Sequence, residues 1–445
     1  MLIEKTAFPN ADVSRLSMNS KPCWQFCVDS NGVFHLIFES YPSTYCEIYY
    51  SFSTDAGDTW SEPVRLDEET YSISGYCCIV DSSGTLHVCW TSQVAMYQPN
   101  KKLSYRTRSV AGEWGSIESI TLGAGNNGFS GSPKMFIDSD GKINFILRQQ
   151  GGSVSATTYQ IAHWIKDGYN SFSRVSYITD TSNHQSSLDI CVDSNGYPHI
   201  LFRSKDWGTN TTKYRPHYTF YNGSSWSTPA VIYEYSRDYN IGGIAIDNEN
   251  NILVGFNYGG GYQYACYKPS GGSFGYTAQV LSGANGLGSD VQSDGDNFYI
   301  VTPEGSGTTM KVYQMVGIPQ YDLDTNAFSL IETGNIDTNG DMAKTANAGH
   351  HRYPSSLADC QITSGFIVVN GEETGTPDSF AISYSDDLSP LPASSPDPAN
   401  ISVSESVSLV EDDSLYIYEQ EPSISAAKDS INPDGWKRGV RIYTP

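Results

Sequence analysis

A short unit recurs along this chain, and its repetition limits the possible folds more than any other feature. The unit is an apolar run, a polar turn that begins with Asp, and a second apolar run, as in CVDSNGVFHLIF from Cys27. Its clear copies place their leading aspartates 52 to 57 residues apart, at Asp29, Asp81, Asp138, Asp193 and Asp247. Weaker copies start at Val291 and Cys360. A fixed period of this length is typical of an array of similar supersecondary units.

Each unit predicts four strands. The D-S-x-G turn suits a strand–turn–strand element, because Asp and Ser bond to nearby backbone and Gly accepts positive φ. A third strand with paired aromatics follows, and a further aromatic opens a fourth strand, at Trp60, Trp114, Phe172, Trp226 and Phe274. These aromatics keep nearly the same period as the aspartates. The pattern therefore predicts an all-β propeller of four-stranded antiparallel blades, with seven blades counted from the units and six as the alternative.

The third turn of the first unit carries a recognisable motif. It reads Ser53-Thr54-Asp55-Ala56-Gly57-Asp58-Thr59-Trp60, which resembles the S-x-D-x-G-x-T-W pattern of the Asp-box (BNR) repeat family. The resemblance implies a sialidase-like β-propeller over roughly residues 20–390 as architecture. It also implies structural roles for Ser53, Asp55, Gly57, Thr59 and Trp60, with Asp55 accepting backbone hydrogen bonds and Trp60 packing between sheets. The motif is specific for fold and says little about chemistry.

The composition divides the chain into two parts. Residues 1–394 are predicted to form the propeller, with 318–349 as an insertion or a distorted fourth strand. From residue 395 the composition changes to Pro, Ser and acidic residues. We therefore expect 395–445 to be an extended tail that docks by pairing with another surface.

Charge and targeting signals narrow the partners. The chain has 26 basic and 49 acidic residues, a net charge of −23, which disfavours nucleic acid and anionic membrane surfaces as partners. The N-terminus lacks the apolar segment of a signal peptide, and no apolar run approaches the roughly 20 residues of a membrane span. Five cysteines lie in apolar runs: Cys27, Cys77, Cys89, Cys191 and Cys360. Buried free thiols in a chain that folds in the cytoplasm are predicted.

No cofactor or metal is predicted. The cysteines and histidines do not have the spacing of a metal site. The segment Asp337-Thr338-Asn339-Gly340-Asp341 is similar to a calcium loop, but it lacks the Gly and the distal Glu of an EF-hand. Calcium is therefore only the alternative to no metal.

Antiparallel connectivity predicts which face of the propeller binds a ligand. The D-S-x-G turns and the Asp box share one face, and the loops between strands two and three, and between blades, share the other. The resemblance to sialidases implies a site on this second face. Its loops are rich in Tyr, Trp, Asn, Gln, Ser and Gly, a composition that suits carbohydrate and also suits a protein-binding rim.

One position at the end of the second strand recurs, at Glu39, Thr91, Arg148, Arg203 and Asn257. Equivalent positions should surround the central opening, so Arg148 and Arg203 of neighbouring blades could hold one carboxylate. The alternative is that they pair with Glu39, Glu234 or Asp238. The predicted ligand-binding residues are Glu39, Tyr41, Arg148, Gln149, Arg203, Trp207, Arg237, Asn257 and Tyr258.

The histidines fall into two groups. His35, His87 and His199 occupy one repeated position, which predicts a structural bond to the adjacent turn. The cluster His350, His351, Arg352 and Tyr353 occurs once, on the candidate face. If the chain is an enzyme, this cluster could neutralise a uronic carboxylate and abstract a proton, as a polysaccharide lyase requires. A polar loop is the alternative.

The predicted function is non-catalytic. Sialidases of the resembled family use three arginines and an early Arg-Ile-Pro motif, which this sequence lacks, so no catalytic residues are assigned. The absent signal peptide, the sugar-like loops and a tail similar to termini of phage structural proteins favour a virion-associated propeller of a tail, neck or fibre. It would bind host-surface glycan or a partner subunit within an oligomeric assembly. A glycoside hydrolase or polysaccharide lyase, and a protein-interaction scaffold, are the alternatives.

Overall fold

A computed structural model describes parts of the first of two compact units, residues 1–390, and none of the second, residues 391–445. The described ranges are 2–7, 16–17, 26–29, 31–40, 47–55, 57–68, 73–93, 101–121, 128–150, 159–179, 185–204, 213–234, 238–258, 261–282, 289–304, 309–335, 367–372 and 379–385. The predicted tail, 395–445, lies outside them.

The regular structure of these ranges is entirely β. The first sheet contains β2 (Leu16–Ser17), β3 (Phe26–Val28), β4 (Phe34–Ser40), β5 (Glu47–Ser53) and β6 (Val64–Arg65). The second contains β7 (Ile73–Val80), β8 (Leu86–Gln93), β9 (Lys101–Arg108) and β10 (Glu118–Thr121). The third contains β11 (Phe129–Ile137), β12 (Ile143–Gln150), β13 (Tyr159–Gly168) and β14 (Ser171–Tyr177).

Four more sheets follow along the chain. The fourth contains β15 (Gln185–Val192), β16 (Pro198–Ser204), β17 (Arg215–Phe220) and β18 (Ala230–Val231). The fifth contains β19 (Tyr239–Ile246), β20 (Ile252–Tyr258), β21 (Tyr262–Lys268) and β22 (Thr277–Ser282). The sixth contains β23 (Asp290–Ser293), β24 (Phe298–Glu304), β25 (Thr309–Met315) and β26 (Phe328–Asn335). A seventh, three-stranded sheet orders β1 (Leu2–Ala7), β28 (Ser379–Ser385) and β27 (Ile367–Glu372).

The order of strands within the sheets is that of propeller blades. Sheets two to six each have four antiparallel strands in chain order, and in the first sheet β2 and β3 both pair with β4. The first strands of successive sheets lie side by side, β3 against β7, then β11, β15, β19 and β23. Four-stranded antiparallel sheets packed through their first strands form a β-propeller.

The predicted turn aspartates hold the turns between first and second strands. In each case one carboxylate oxygen accepts the backbone N–H groups two and four residues later, for example Asn31 and Val33 for Asp29, at 2.9 and 2.8 Å. Asp81, Asp138, Asp193 and Asp247 do the same. The predicted structural role of the repeated histidines is confirmed at His87, whose Nε2 lies 3.1 Å from Asp81.

The motif turn of the first sheet is also held by its own side chains. Asp55 Oδ1 accepts the Thr59 backbone N–H at 2.8 Å, and its Oδ2 accepts the Thr59 hydroxyl at 2.6 Å. Gly57 has φ +89°, which favours glycine, and its carbonyl accepts the Trp60 indole N–H at 3.2 Å. These contacts fix the turn between β5 and β6.

The repeated aromatics pack between neighbouring sheets, which explains why they share a period. Trp114 of the second sheet contacts Tyr50 of the first edge-to-face, with ring centroids 5.1 Å apart. Phe274 of the fifth sheet contacts Tyr218 of the fourth in the same way, at 5.0 Å. Phe172 against Tyr105 and Trp226 against His163 repeat the contact. Sheets two to five therefore each contribute one ring that packs against the preceding sheet.

The segment 318–349, predicted to be an insertion or a distorted fourth strand, contains the fourth strand of the sixth sheet. Residues 328–335 form β26, the outer strand of the sixth sheet, and Leu323 and Asp324 bond to Thr277 and Gln279 of β22. Residues 336–349 lie outside the described ranges.

Candidate functional site

The face opposite the aspartate turns is shaped by irregular first strands. Register shifts of the bulge type occur in β7, β11, β15 and β19, each near the strand's first residues. Those residues pair with the last residues of the second strand, where the recurring site position lies. Bulges re-aim side chains and are common beside functional sites. The sequence-predicted ring thus lies at the edge where the first strands are distorted.

Arg148 and Arg203 are the two charged residues of this ring whose side chains are described. Each is half-buried, and each guanidinium lies over a tyrosine ring, with Cζ 4.5 Å from the Tyr159 centroid and 4.0 Å from the Tyr214 centroid. Tyr214 is also close enough to Arg148 to influence its pKa, so it links the two arginines. Burial lowers the pKa of both guanidinium groups, which nevertheless stay charged at neutral pH.

Neither arginine has a carboxylate partner among the described residues. Of the expected alternative partners, Glu234 pairs with Arg215 at 3.0 Å. Asp238 lies 3.8 Å from Lys213, and its charge also raises the pKa of Arg203, against the larger lowering effect of burial. The side chain of Glu39 is outside the described part of the chain. The buried Nε atoms of both Arg148 and Arg203 also lack a hydrogen-bond acceptor. Two partly buried cations without a described carboxylate in ion-pair contact form a site that an anion would stabilise.

Three other polar residues of the predicted site are buried, and two of them form hydrogen bonds within the protein. Thr91 is buried and donates to the Gly131 carbonyl at 2.9 Å, which ties the second sheet to the third. Gln149 is buried and accepts the Trp164 indole N–H at 3.1 Å, between β12 and β13. Asn257 is buried with its Oδ1 unbonded.

Several predicted residues cannot be placed. Glu39 and Tyr258 belong to β4 and β20, of which only the backbone is described there. Tyr41, Trp207, Arg237, His350, His351, Arg352, Tyr353 and the calcium-like segment 337–341 lie outside the described ranges.

Three charged side chains that sequence reasoning missed meet on the first strands. Lys134 of β11 pairs with Asp189 of β15 at 3.1 Å, and Asp189 also accepts the Ile244 N–H of β19 at 3.2 Å. Asp290 of β23 accepts from Gln292 at 3.1 Å. A Cβ on Gly243 would lie 3.0 Å from Asp290 and 3.4 Å from Asp189, so both carboxylates approach one point.

The environment of this cluster disfavours a second negative charge. Burial, and then the charge of Asp189, raise the pKa of Asp290 well above its ordinary value. The available sequence signal was a charged residue inside an otherwise apolar first strand, as in SPKMFI and SLDICV. It was missed because the prediction used only residues at strand ends.

The described part of the chain has no group of three or more His, Cys, Asp or Glu side chains arranged to hold a metal. Nothing helical in those ranges has the length and hydropathy for a membrane crossing. The described cysteines are free, and among the five predicted buried thiols Cys77, Cys89 and Cys191 are buried and Cys27 is half-buried. Cys360 lies outside the described ranges.

Comparison with solved structures identifies proteins of similar fold. An ulvan lyase, described as a new family of polysaccharide lyase, is 12% identical with a TM-score of 0.51, over 72% of this chain and 86% of that one. A protein of unknown function from Dyadobacter fermentans is 10% identical with a TM-score of 0.48, over 75% and 98%. An α-L-arabinanase from Penicillium chrysogenum, solved with arabinobiose, is 14% identical with a TM-score of 0.46, over 75% and 98%.

No family model matches the sequence, and no curated protein matches it. The likeness to the ulvan lyase supports the propeller fold alone.

Proposed function

We propose that this chain binds an acidic carbohydrate on the face opposite the aspartate turns. The observation that carries the proposal is the pair Arg148 and Arg203, two partly buried guanidinium groups on neighbouring sheets with no carboxylate in ion-pair contact among the described residues. A carboxylate accepts two parallel hydrogen bonds from such a fork, and the tyrosines beneath the arginines hold the forks in place.

The overall charge makes this site selective. In a chain of net charge −23, most of the surface repels an anion. An anion can therefore bind only where cationic side chains lie close enough to it to offset that repulsion. A sugar bearing one carboxylate would satisfy both arginines and bring no further negative charge to the surface around them. A nucleic acid, with a charge at every phosphate, would not.

Calorimetric titration tests the proposal with a uronic acid oligosaccharide as the probe. Arg148→Gln and Arg203→Gln should each weaken binding by about tenfold or more, since a charge-assisted hydrogen bond contributes about 1.5–3 kcal/mol. Arg148→Lys should recover only part of the loss, because an ammonium lacks the planar fork.

Arg174→Gln is the matched control, because Arg174 also lies over a tyrosine, 4.2 Å from the Tyr177 centroid, but on the exposed outer strand β14. It should bind like the wild type. Equal binding by the wild type and all four variants would refute the carboxylate site.

The enzyme alternative is supported by one observation, the approach of Asp189 and Asp290 to a common point with the pKa of Asp290 raised. Carboxyl groups in different protonation states are what glycoside hydrolysis requires. The titrated mixture tests this after incubation: new reducing ends that form without an unsaturated uronate product, and that do not form with Asp290→Asn, would assign hydrolysis.

The virion association and cytoplasmic folding inferred from sequence stay proposals. They would place the bound carbohydrate on a host cell, and the identity of neighbouring genes tests them, with capsid or tail genes as the expected finding.

We also propose seven blades. Support comes from the pairing of β1 with β28, in register from Leu2 opposite Ser385 to Ala7 opposite Phe380, which adds the chain's first strand to the sheet of its last repeat. Contacts between β2 and β27 are what a ring closing at this sheet requires.

A further inference from the structure

Four buried polar side chains of the fifth and sixth sheets, or directly beside them, each carry an oxygen atom without a hydrogen-bond partner. Asn257, Gln263, Ser289 and Thr302 are 1%, 0%, 3% and 1% exposed. No hydrogen bond is made by Asn257 Oδ1, Gln263 Oε1, Ser289 Oγ or Thr302 Oγ1. Buried polar atoms in native proteins nearly always have a hydrogen-bond partner. Four such atoms without one therefore indicate a partner that is not part of the described polypeptide. We call these four residues the acceptor cluster.

The pairing of strands brings the acceptor cluster together. Asn257 of β20 lies directly opposite Gln263 of β21, so the two side chains share a face. Ser289 precedes β23, and the register of Asp290 opposite Val301 continues to place it opposite Thr302. The two pairs therefore belong to the fifth and sixth sheets.

Gly255 marks the point where these two pairs meet. It lies two residues before Asn257 and thus on the same face of β20. A Cβ at Gly255 would be 3.4 Å from Gln263 Nε2 and 3.8 Å from Ser289 Oγ. Side chains of both sheets accordingly converge above this glycine.

The chemistry of the acceptor cluster complements that of the arginines. Gln263 Nε2 donates to the Tyr264 carbonyl at 3.0 Å, which leaves the amide oxygen as the free atom. Amide oxygens only accept, and the two hydroxyls accept or donate. Asn257 occupies the same strand position as Arg148 and Arg203, so the ring has a donor side on sheets three and four and an acceptor side on sheets five and six.

We infer that the acceptor cluster binds hydroxyl groups of the same acidic carbohydrate whose carboxylate lies at Arg148 and Arg203. The ligand is then a polyhydroxylated acid, recognised by donors at one end and acceptors at the other. This subsite deepens the proposed function and depends on it.

Two small acids separate the halves of the site. Galacturonate carries ring hydroxyls and a carboxylate, whereas cyclohexanecarboxylate has a ring of similar size and the carboxylate alone. The wild-type protein should bind galacturonate at least about tenfold more tightly, because each hydrogen bond contributes roughly a three- to tenfold factor.

Thr302→Val and Ser289→Ala should weaken galacturonate binding by about three- to tenfold and leave cyclohexanecarboxylate binding unchanged. Thr219→Val is the matched control, since Thr219 is equally buried but bonds to Ser227 on the outer side of β17. It should bind both acids like the wild type.

Each other outcome overturns a defined part of the account. Equal affinity for the two acids, still lost in Arg148→Gln, would retain the carboxylate site and refute the hydroxyl subsite. Unchanged galacturonate affinity in both variants, with only a shift in melting temperature, would assign ordered water to the acceptor cluster. Binding of neither acid would refute the proposed function itself.

Discussion

At the scale of single residues, the place of a side chain in the repeat determined whether the sequence could predict its role in the site. Arg148 and Arg203 were predicted to lie together because both end a second strand of the repeat. Tyr214, beneath Arg203, is also close enough to Arg148 to influence its pKa. Asp189 and Asp290 were missed because both belong to first strands, whereas the prediction used the position that ends each second strand. The Tyr41, Trp207, Arg237 and 350–353 predictions remain predictions.

Asp290 provides a pH-dependent test of the buried cluster. Its neighbours are Asp189 and Lys134 from other first strands and Gln292 from its own. The folded-state pKa is raised above the unfolded value of about 3.9, so folding takes up a proton and stability falls as the pH rises between the two values. Within that window the free energy of unfolding should fall by up to about 1.4 kcal/mol per pH unit.

Asp290→Asn should remove this slope and raise the melting temperature at neutral pH, while changing little below pH 4 (about the unfolded pKa). Urea unfolding across a pH series measures it. Asp140→Asn, at an exposed turn position, is the control and should follow the wild type. A wild-type stability that rises with pH through the same window would contradict the cluster's electrostatics.

At the scale of elements, the repeated turns and aromatics were predictable because each repeats a local contact. Every turn aspartate binds the same two backbone N–H groups, and the aromatic that opens a fourth strand packs on the preceding sheet. The first sheet departs from the four-strand pattern, since β2 and β3 both pair with β4. No repeated sequence precedes Cys27, so this division had no signal.

Asp55 tests the motif turn. Asp55→Ala removes the two hydrogen bonds that Asp55 accepts from Thr59 and the one that it accepts from the Ser53 hydroxyl. Each bond contributes about 0.5–1.5 kcal/mol and the site is exposed, so the variant should be destabilised by about 1–2 kcal/mol. Chemical unfolding measures the change. Glu62→Ala, exposed just after the turn, should have no effect, and equal stability of the two variants would show that the turn holds without Asp55.

At the scale of the whole molecule, the sheets give the ring two unlike halves on one face. Sheets three and four present cations, and sheets five and six present neutral acceptors. The repeat predicted the scaffold of four-stranded sheets, because that scaffold follows from strand order. It could not predict that the cations and the neutral acceptors belong to different sheets, because this depends on the few residues that differ between otherwise equivalent positions.

The most direct test of acidic carbohydrate binding is a glycan array probed with the wild-type protein and with the double variant Arg148→Gln/Arg203→Gln. The wild type should bind glycans that carry a carboxylate and pass over their neutral counterparts, and the double variant should bind neither. Binding to neutral glycans that survives in the double variant, or a signal on no glycan at all, would contradict the account.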